Sequence, residues 1–246
     1  MGQSEIVTGI VLTAMPIGDY DKRITILTRE KGKITAFARG AKRTNSPLLA
    51  ATNPFCFGEF EVYEGRSAYN LSKATIQNYF RELTEDIEAT YLGFYFLEFA
   101  EYFCQENNDE KEMLKLLYQS LRALQSDAYE NRLVRAIFEL KALTINGEGP
   151  SVFSCIHCKK KEKLHFFSVA RGGMFCDDCR KHAVGREISE ACAYTLKYVV
   201  SSSIGKLYSF SLKPEVLQEF CSLAQEYTQY YIHHAFKSLD ILETLG

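Results

Sequence analysis

Residues 23–43 read RITILTREKGKITAFARGAKR, two alternating runs with a turn between them. Over 34–39 the alternation is clean. Ile34, Ala36 and Ala38 share one face and Thr35, Phe37 and Arg39 the other, the two-residue period of a half-buried strand. Residues 23–28 alternate in part, and Arg29-Glu30-Lys31-Gly32 has the polar, glycine-ended composition of a hairpin turn. Upstream, 6–14 is rich in β-branched residues and broken by Gly9, where a bulge is expected. Downstream, 55–63 and 68–77 form a second hairpin joined through Glu64-Gly65-Arg66. Five short strands within the first 80 residues make a small barrel. The OB-fold is one such solution, and an SH3-like barrel also fits.

Beyond residue 80 the period changes to that of helices. Thr84 is placed to cap a helix whose first turn carries Glu85, Asp86 and Glu88 at the positive end of its dipole. Residues 110–125 put Met113, Leu114, Leu117, Leu121 and Leu124 on one stripe, and 131–144 carry Leu133, Val134, Ile137, Phe138 and Lys141 at similar spacing. Asn146-Gly147 with Pro150 beyond is a stop signal. Long periodicity is lost over 151–187 and returns over 189–201. Pro214 opens a last helix, with Leu217, Phe220, Cys221, Ala224 and Tyr231 facing one way. The fold class expected is therefore α+β and multidomain. It comprises an OB-like barrel of five strands over 1–80, a helical domain made of 81–150 and 188–246, and a cysteine-rich insert at 151–187.

The composition is that of an ordinary globular chain: 246 residues, 46% hydrophobic and 24% charged, with 29 Lys and Arg against 31 Asp and Glu. The start lacks the basic-then-apolar run of a signal peptide, and no apolar stretch is long enough to span a membrane. A cytoplasmic, nucleoid-associated protein is expected. The net charge of −2 hides a pattern: 1–80 and 151–187 are basic, 81–150 is strongly acidic. The acidic residues of 81–150 are spread along solvent-type helix positions. With no clustered carboxylates and no nucleophile beside a base, the chain reads as a non-enzyme.

Eight cysteines without a secretory signal are expected as thiols or metal ligands. Cys155, Cys158, Cys176 and Cys179 form two Cys-x2-Cys pairs separated by 17 residues, which suits a single structural zinc ion held by four thiolates. A thioredoxin-type site leaves the second pair unexplained, and the His-x-Glu of a zinc deaminase is missing. Four thiolates also leave no open position for a catalytic water. His157, His165 and His182 lie close in sequence; the minor alternative to four thiolates is that one of them, His182 first, replaces a cysteine. Cys56, Cys104, Cys192 and Cys221, alone in apolar surroundings, read as small buried hydrophobes.

Eight cations face one carboxylate, Glu30, over 22–43. Blocking a strand edge needs only two or three charges. A cationic groove with an aromatic stacking platform is how barrels hold single strands. Lys22, Arg23, Lys31, Lys33, Phe37, Arg39, Lys42 and Arg43 are the candidate DNA contacts. Lys159, Lys160, Lys161, Arg171, Arg180 and Lys181 of the insert form a possible second DNA surface. The competing reading is a zinc-stabilised adaptor whose basic patches serve acidic proteins.

The segments VTGIVL at 7–12, LTREKGKITAFARGAKR at 27–43, PFCFGEF at 54–60 and FELKALTINGEGP at 138–150, followed by the paired cysteines, resemble the RecO recombination mediators over nearly the whole length. The resemblance implies an OB-fold, a helical domain and, in some members, a zinc insert. It implies no catalysis. Its partners would be single- and double-stranded DNA, RecR and the C-terminal tail of SSB, and its role to anneal strands and help load RecA onto SSB-coated DNA. DNA contact would fall chiefly on Arg39, Lys42 and Arg43. The resemblance does not place the SSB-tail pocket residue by residue; the helix with Arg132, Arg135 and Lys141 is a candidate rim of an apolar groove, and a solvated helix face is the favoured reading of it.

Overall fold

A computed structural model describes residues 4–245. Strands β1 (Ser4–Ile17), β2 (Asp21–Thr28) and β3 (Gly32–Ala38) precede a one-turn helix α1 (Leu48–Ala51), strands β4 (Phe57–Glu64) and β5 (Tyr69–Asn78), and helices α2 (Ile87–Phe103), α3 (Lys111–Leu124) and α4 (Asn131–Ile145). A small sheet of β6 (Leu164–Ser168), β7 (Gly173–Cys176) and β8 (Arg186–Glu187) follows, then α5 (Glu190–Ser201), α6 (Pro214–Tyr231) and α7 (Lys237–Leu245).

The first five strands close a barrel in the order β1-β2-β3-β5-β4, with β4 returning to β1. Every pairing is antiparallel except β3 with β5. That order, with α1 between β3 and β4, is the OB arrangement and decides against the SH3-like alternative. Ile34, Ala36 and Ala38 point into the barrel with Val7, Val11, Ile24, Ile26, Phe60 and Val62, as the alternation requires. The bulge in β1 lies between Val11 and Thr13 rather than at Gly9. Gly9 answers a different need: a Cβ there would stand 2.3 Å from the Leu27 carbonyl oxygen.

Contacts divide the chain into two compact units: residues up to 125 with those from 236 onward, and 126–235. In the first, α2 and α3 pack with the barrel. Burial of Ala89, Leu92, Tyr95, Phe96, Leu97, Phe99 and Ala100 surrounds α2 on most sides. Its cap is Asp86, whose carboxylate accepts the Glu88 and Ala89 amides, and not Thr84, whose hydroxyl donates to Arg81 inside a 3-10 turn. The last helix expected from Pro214 ends at Tyr231. A separate α7 joins the first unit, where Phe236 stacks on Phe99 and the Ser238 hydroxyl donates to Glu98 at 2.9 Å.

The second unit is built around α4, which buries ten residues, Glu139 and Lys141 among them. The Lys141 ammonium donates to the Val200 and Ser202 carbonyls at 2.9 and 2.7 Å, neutralising the negative end of α5. Arg135 pairs with the buried Glu139 at 2.8 Å, and Arg132 with Glu130. The proposed rim for an acidic tail is thus partly internal structure: Lys141 joins α4 to the end of α5, and Arg135 is paired within α4. Among the described residues no helix is long and apolar enough to cross a membrane.

Candidate nucleic-acid interface and metal centre

The basic residues of 22–43 divide between the two ends of the β2–β3 hairpin. Seven residues of strand separate the ends, about 20 Å. At the turn end the cations are committed. Lys31 pairs with Glu5 at 2.9 Å and lies 5.5 Å from the centre of the Tyr69 ring; the hydrogen bond to Glu5 raises its pKa. Lys33 donates to the Glu101 carbonyl in the last turn of α2, and Arg29 pairs with Glu30.

The other end is open. There the register sets Met15 opposite Arg23 and Arg23 opposite Phe37. Phe37 is half-buried and lies outside the barrel's inner cluster. Arg23 is exposed and donates to the Met15 sulfur at 3.4 Å. The segment after β3 turns at Gly40, whose φ of +67° an L side chain rarely adopts. Two hydrogen bonds pin that segment to the β1–β2 turn: Gly40 N–H to the Asp21 carboxylate at 2.8 Å, and Lys42 N–H to the Tyr20 carbonyl at 2.8 Å. Arg43 is thereby laid over the Tyr20 ring, 5.1 Å from its centre, and the Lys42 ammonium reaches the Gly18 carbonyl. Arg39 is exposed and has no side-chain partner among the described residues.

Lys22 takes a structural role at this end. Its three N–H groups go to Leu49 O, Thr52 Oγ1 and Asn53 Oδ1 at 3.1, 3.1 and 2.8 Å, fastening α1 to the barrel, and burial lowers its pKa. The open end therefore brings together Arg23, Phe37, Arg39, Lys42 and Arg43, while Lys22, Lys31 and Lys33 are spent within the fold. The sequence reading missed Met15 and Tyr20, both half exposed at this end. Nothing in their local pattern marks them; the pairing of 20 with 42 is a tertiary contact.

In the second unit the four paired cysteines converge, their sulfurs all within 4.8 Å of one another and Cys158 and Cys176 3.6 Å apart. Zinc–sulfur bonds of about 2.3 Å at tetrahedral angles set sulfurs about 3.8 Å apart. The first knuckle closes through Cys155 N–H to Lys160 O and Lys159 N–H to Cys155 O, with Lys159 in the left-handed region, and Ile156 N–H ties it to Met174 of β7. Burial acts to raise the pKa of Cys155, but the amides of Cys158, Cys176 and His157 donate to its sulfur and bring it down to about 6. Burial and the crowded thiols push Cys179 up to about 12. Such a set becomes four thiolates when a cation neutralises it, so the cluster can hold a metal ion. No histidine belongs to it: the His157 and His182 rings stack on each other, centres 4.5 Å apart.

Around the cluster, Lys160 pairs with Asp178 at 2.8 Å and Arg180 with Glu187, whereas Lys159, Lys161, Arg171 and Lys181 are exposed. The lone cysteines behave as small hydrophobes. Cys56, Cys104 and Cys192 are buried, Cys221 is only half-buried where full burial was expected, and burial raises the pKa of each.

Comparison with known proteins gives this geometry its context. The model of the family described as Recombination protein O N terminal matches residues 2–80, and that of Recombination protein O C terminal matches 84–240. The chain is 31% identical to the DNA repair protein RecO of Acetivibrio thermocellus, covering 97% of this chain and 96% of the relative. It is 31% identical to that of Bacillus pumilus over 91% of this chain and 87% of the relative. With Clostridium novyi RecO the identity is 29%, over 96% and 92%. An OB-like barrel, a helical part and a four-cysteine cluster, matched end to end by these relatives, place the chain in the RecO family of DNA repair and recombination proteins.

Proposed function

We propose that this protein binds DNA non-catalytically at the open end of its barrel and anneals complementary strands. With RecR it then helps to load RecA onto single-stranded DNA coated by SSB. The observation that carries the DNA-binding part is the pinned segment after β3. Arg39, Lys42 and Arg43 are exposed, held beside Tyr20 and near Arg23 and Phe37, and of the two carboxylates at the adjoining turn Asp21 is engaged by a backbone amide while Asp19 is exposed. Exposed cations beside an accessible ring, here Tyr20 with the half-buried Phe37 near it, suit a sugar–phosphate chain with accessible bases. Annealing needs a surface that screens phosphate repulsion without holding either strand too tightly, and the exposed cations of the insert are suited to a second strand. RecR, the SSB tail and RecA enter through family membership. Zinc, as the ion held by Cys155, Cys158, Cys176 and Cys179, is supported by the all-thiol donor set and its spacing.

The test is a strand-annealing assay with complementary oligonucleotides coated by SSB, with and without RecR. It is run beside a gel shift of labelled single strand using wild type and the Arg39→Ala/Lys42→Ala/Arg43→Ala variant. Annealing by the wild type and weakened binding by the variant are expected. Equal binding by both removes the barrel end as the site, and no binding by either leaves a protein-binding adaptor.

A further inference from the structure

A groove of about 950 Å³ lies within the second unit, between the strand β6 of the zinc module and α5. Lys161 and Lys163 enter it from the module, Tyr194 and Lys197 from α5, and Lys213 from the segment that starts α6. We infer that this groove binds single-stranded nucleic acid, a base stacking on Tyr194 while the four lysines take the phosphates.

Some lysines of the fold, Lys22, Lys31, Lys33, Lys141 and Lys160, bond to oxygens of the chain, and others, such as Lys73, Lys115 and Lys206, stand singly without a partner among the described residues. None of the four groove ammonium groups has a hydrogen-bond or ion-pair partner among the described residues, although they line one concavity with a single carboxylate, Glu190. That carboxylate is explained by its place in the first turn of α5, where the helix dipole favours it. The lysines have no such explanation. Lys213 stands at the N-cap of α6, where a positive charge opposes the dipole, and Lys163 has φ of +52°, a conformation costly for a lysine. Tyr194 is 69% exposed and sits four residues from Glu190 and three from Lys197, on the face of α5 that lines the groove. An aromatic platform ringed by unpaired cations is the arrangement that holds a strand without reading its sequence. An adjoining hollow of about 290 Å³, walled by Tyr198 and Phe210, continues the groove past Tyr194 and offers further ring surface.

The inference rests on the reading of this chain as a DNA-binding protein, and the test separates the two. The sequence contains no tryptophan, so Tyr194→Trp in the full, zinc-loaded chain places one reporter in the groove. Fluorescein-labelled oligothymidylate is titrated while anisotropy reports binding anywhere on the chain and, with unlabelled oligonucleotide, tryptophan emission reports the groove. Quenching of that emission, reversed by salt, is expected. In the otherwise unaltered protein, Lys197→Ala/Lys213→Ala should weaken binding about tenfold at low salt and make the log–log salt slope shallower by about 1.4. Binding by anisotropy with unchanged emission and an unchanged slope overturns the inference and leaves the barrel site standing. No binding at all overturns both. Emission that responds to an oligoaspartate peptide but not to the oligonucleotide assigns the groove to an acidic protein segment and overturns the inference.

Discussion

The Asp21 carboxylate accepts the Gly40 amide at 2.8 Å, joining the start of β2 to the segment that follows β3. With the Lys42 amide bond to the Tyr20 carbonyl, this contact sets where Lys42 and Arg43 stand, because the chain between them and the barrel turns at Gly40 in a left-handed conformation. Removing the acceptor leaves a half-buried amide without its charged partner, a loss of about 1.5–3 kcal/mol. Asp21→Ala is therefore expected to lower the urea midpoint and weaken single-strand binding together, while Asp21→Asn, which keeps an oxygen acceptor, preserves most of both. Gly40→Ala should cost about 1–2 kcal/mol through its φ alone.

Charge removal at the open end separates binding from folding. Arg39, Lys42 and Arg43 are exposed, and the contacts of Lys42 to Gly18 and Arg43 to Tyr20 are surface interactions of about 1 kcal/mol or less. If the wild type neutralises about six phosphates, its log–log salt slope on single strands is about −4. The triple alanine variant should be shallower by about 2 at nearly unchanged thermal stability. Lys22→Ala should do the reverse, destabilising the α1 attachment while leaving the slope alone. Anisotropy titrations across a salt series check both.

The difference between Lys22 and Lys42 also marks how far a sequence can be read. The alternation of 34–39 announced the barrel because a period of two is a local property, and the cysteine pairs announced a four-thiol cluster able to hold a metal ion because two close pairs need only one approach to converge. The charge density over 22–43 was equally legible, but which cations are spent internally is decided by residues 31 and 68 positions away: Asn53 for Lys22 and Glu101 for Lys33. The same holds for α7, a short helix that earns its place through Phe236 on Tyr95 and Phe99. It holds again for α2, whose apolar residues run round the helix without saying that a barrel covers them.

Lys141 tests the α4–α5 junction. Its ammonium is buried with the carbonyls of Val200 and Ser202 as acceptors. Lys141→Ala would remove a charge-assisted bond to each and leave the C-terminal carbonyls of α5 poorly satisfied, a cost of about 2–4 kcal/mol. Thermal unfolding of the variant, with its affinity for an acidic peptide measured alongside, distinguishes this from a surface role. Lower stability with unchanged peptide affinity is expected.

The lone cysteines predict a loss of stability in alkali. Burial pushes Cys56 up to about 11 and Cys192 and Cys221 up to about 12, above the 9.0 of an ordinary thiol. A group whose pKa is higher in the folded than in the unfolded state contributes fully below the unfolded value and loses that contribution as pH rises through the folded one. The urea midpoint should therefore fall between pH 9 and pH 11, and Cys56→Ala should flatten the fall after allowance for its lost packing. Below pH 9 these thiols should react slowly with aromatic disulfides while the protein is native.

Metal loss has the opposite pH sense. Four thiolates hold zinc only while deprotonated, so protons compete for the site and release begins in mild acid, not in alkali. The second unit depends on this more than its size suggests. The strands β6, β7 and β8 hold two to five residues each, too few to build a core, and Cys176 sits at the end of β7 while Cys155 anchors the opposite knuckle through Lys160. Elemental analysis should find one zinc per chain. Chelation, or Cys176→Ser, should raise hydrogen exchange over 151–187 while the barrel strands keep their protection. Protein purified without chelator and free of metal would count against zinc. A cluster that stayed protected after chelation would mean that Phe167, Phe175 and Met174, all buried, hold the module without it.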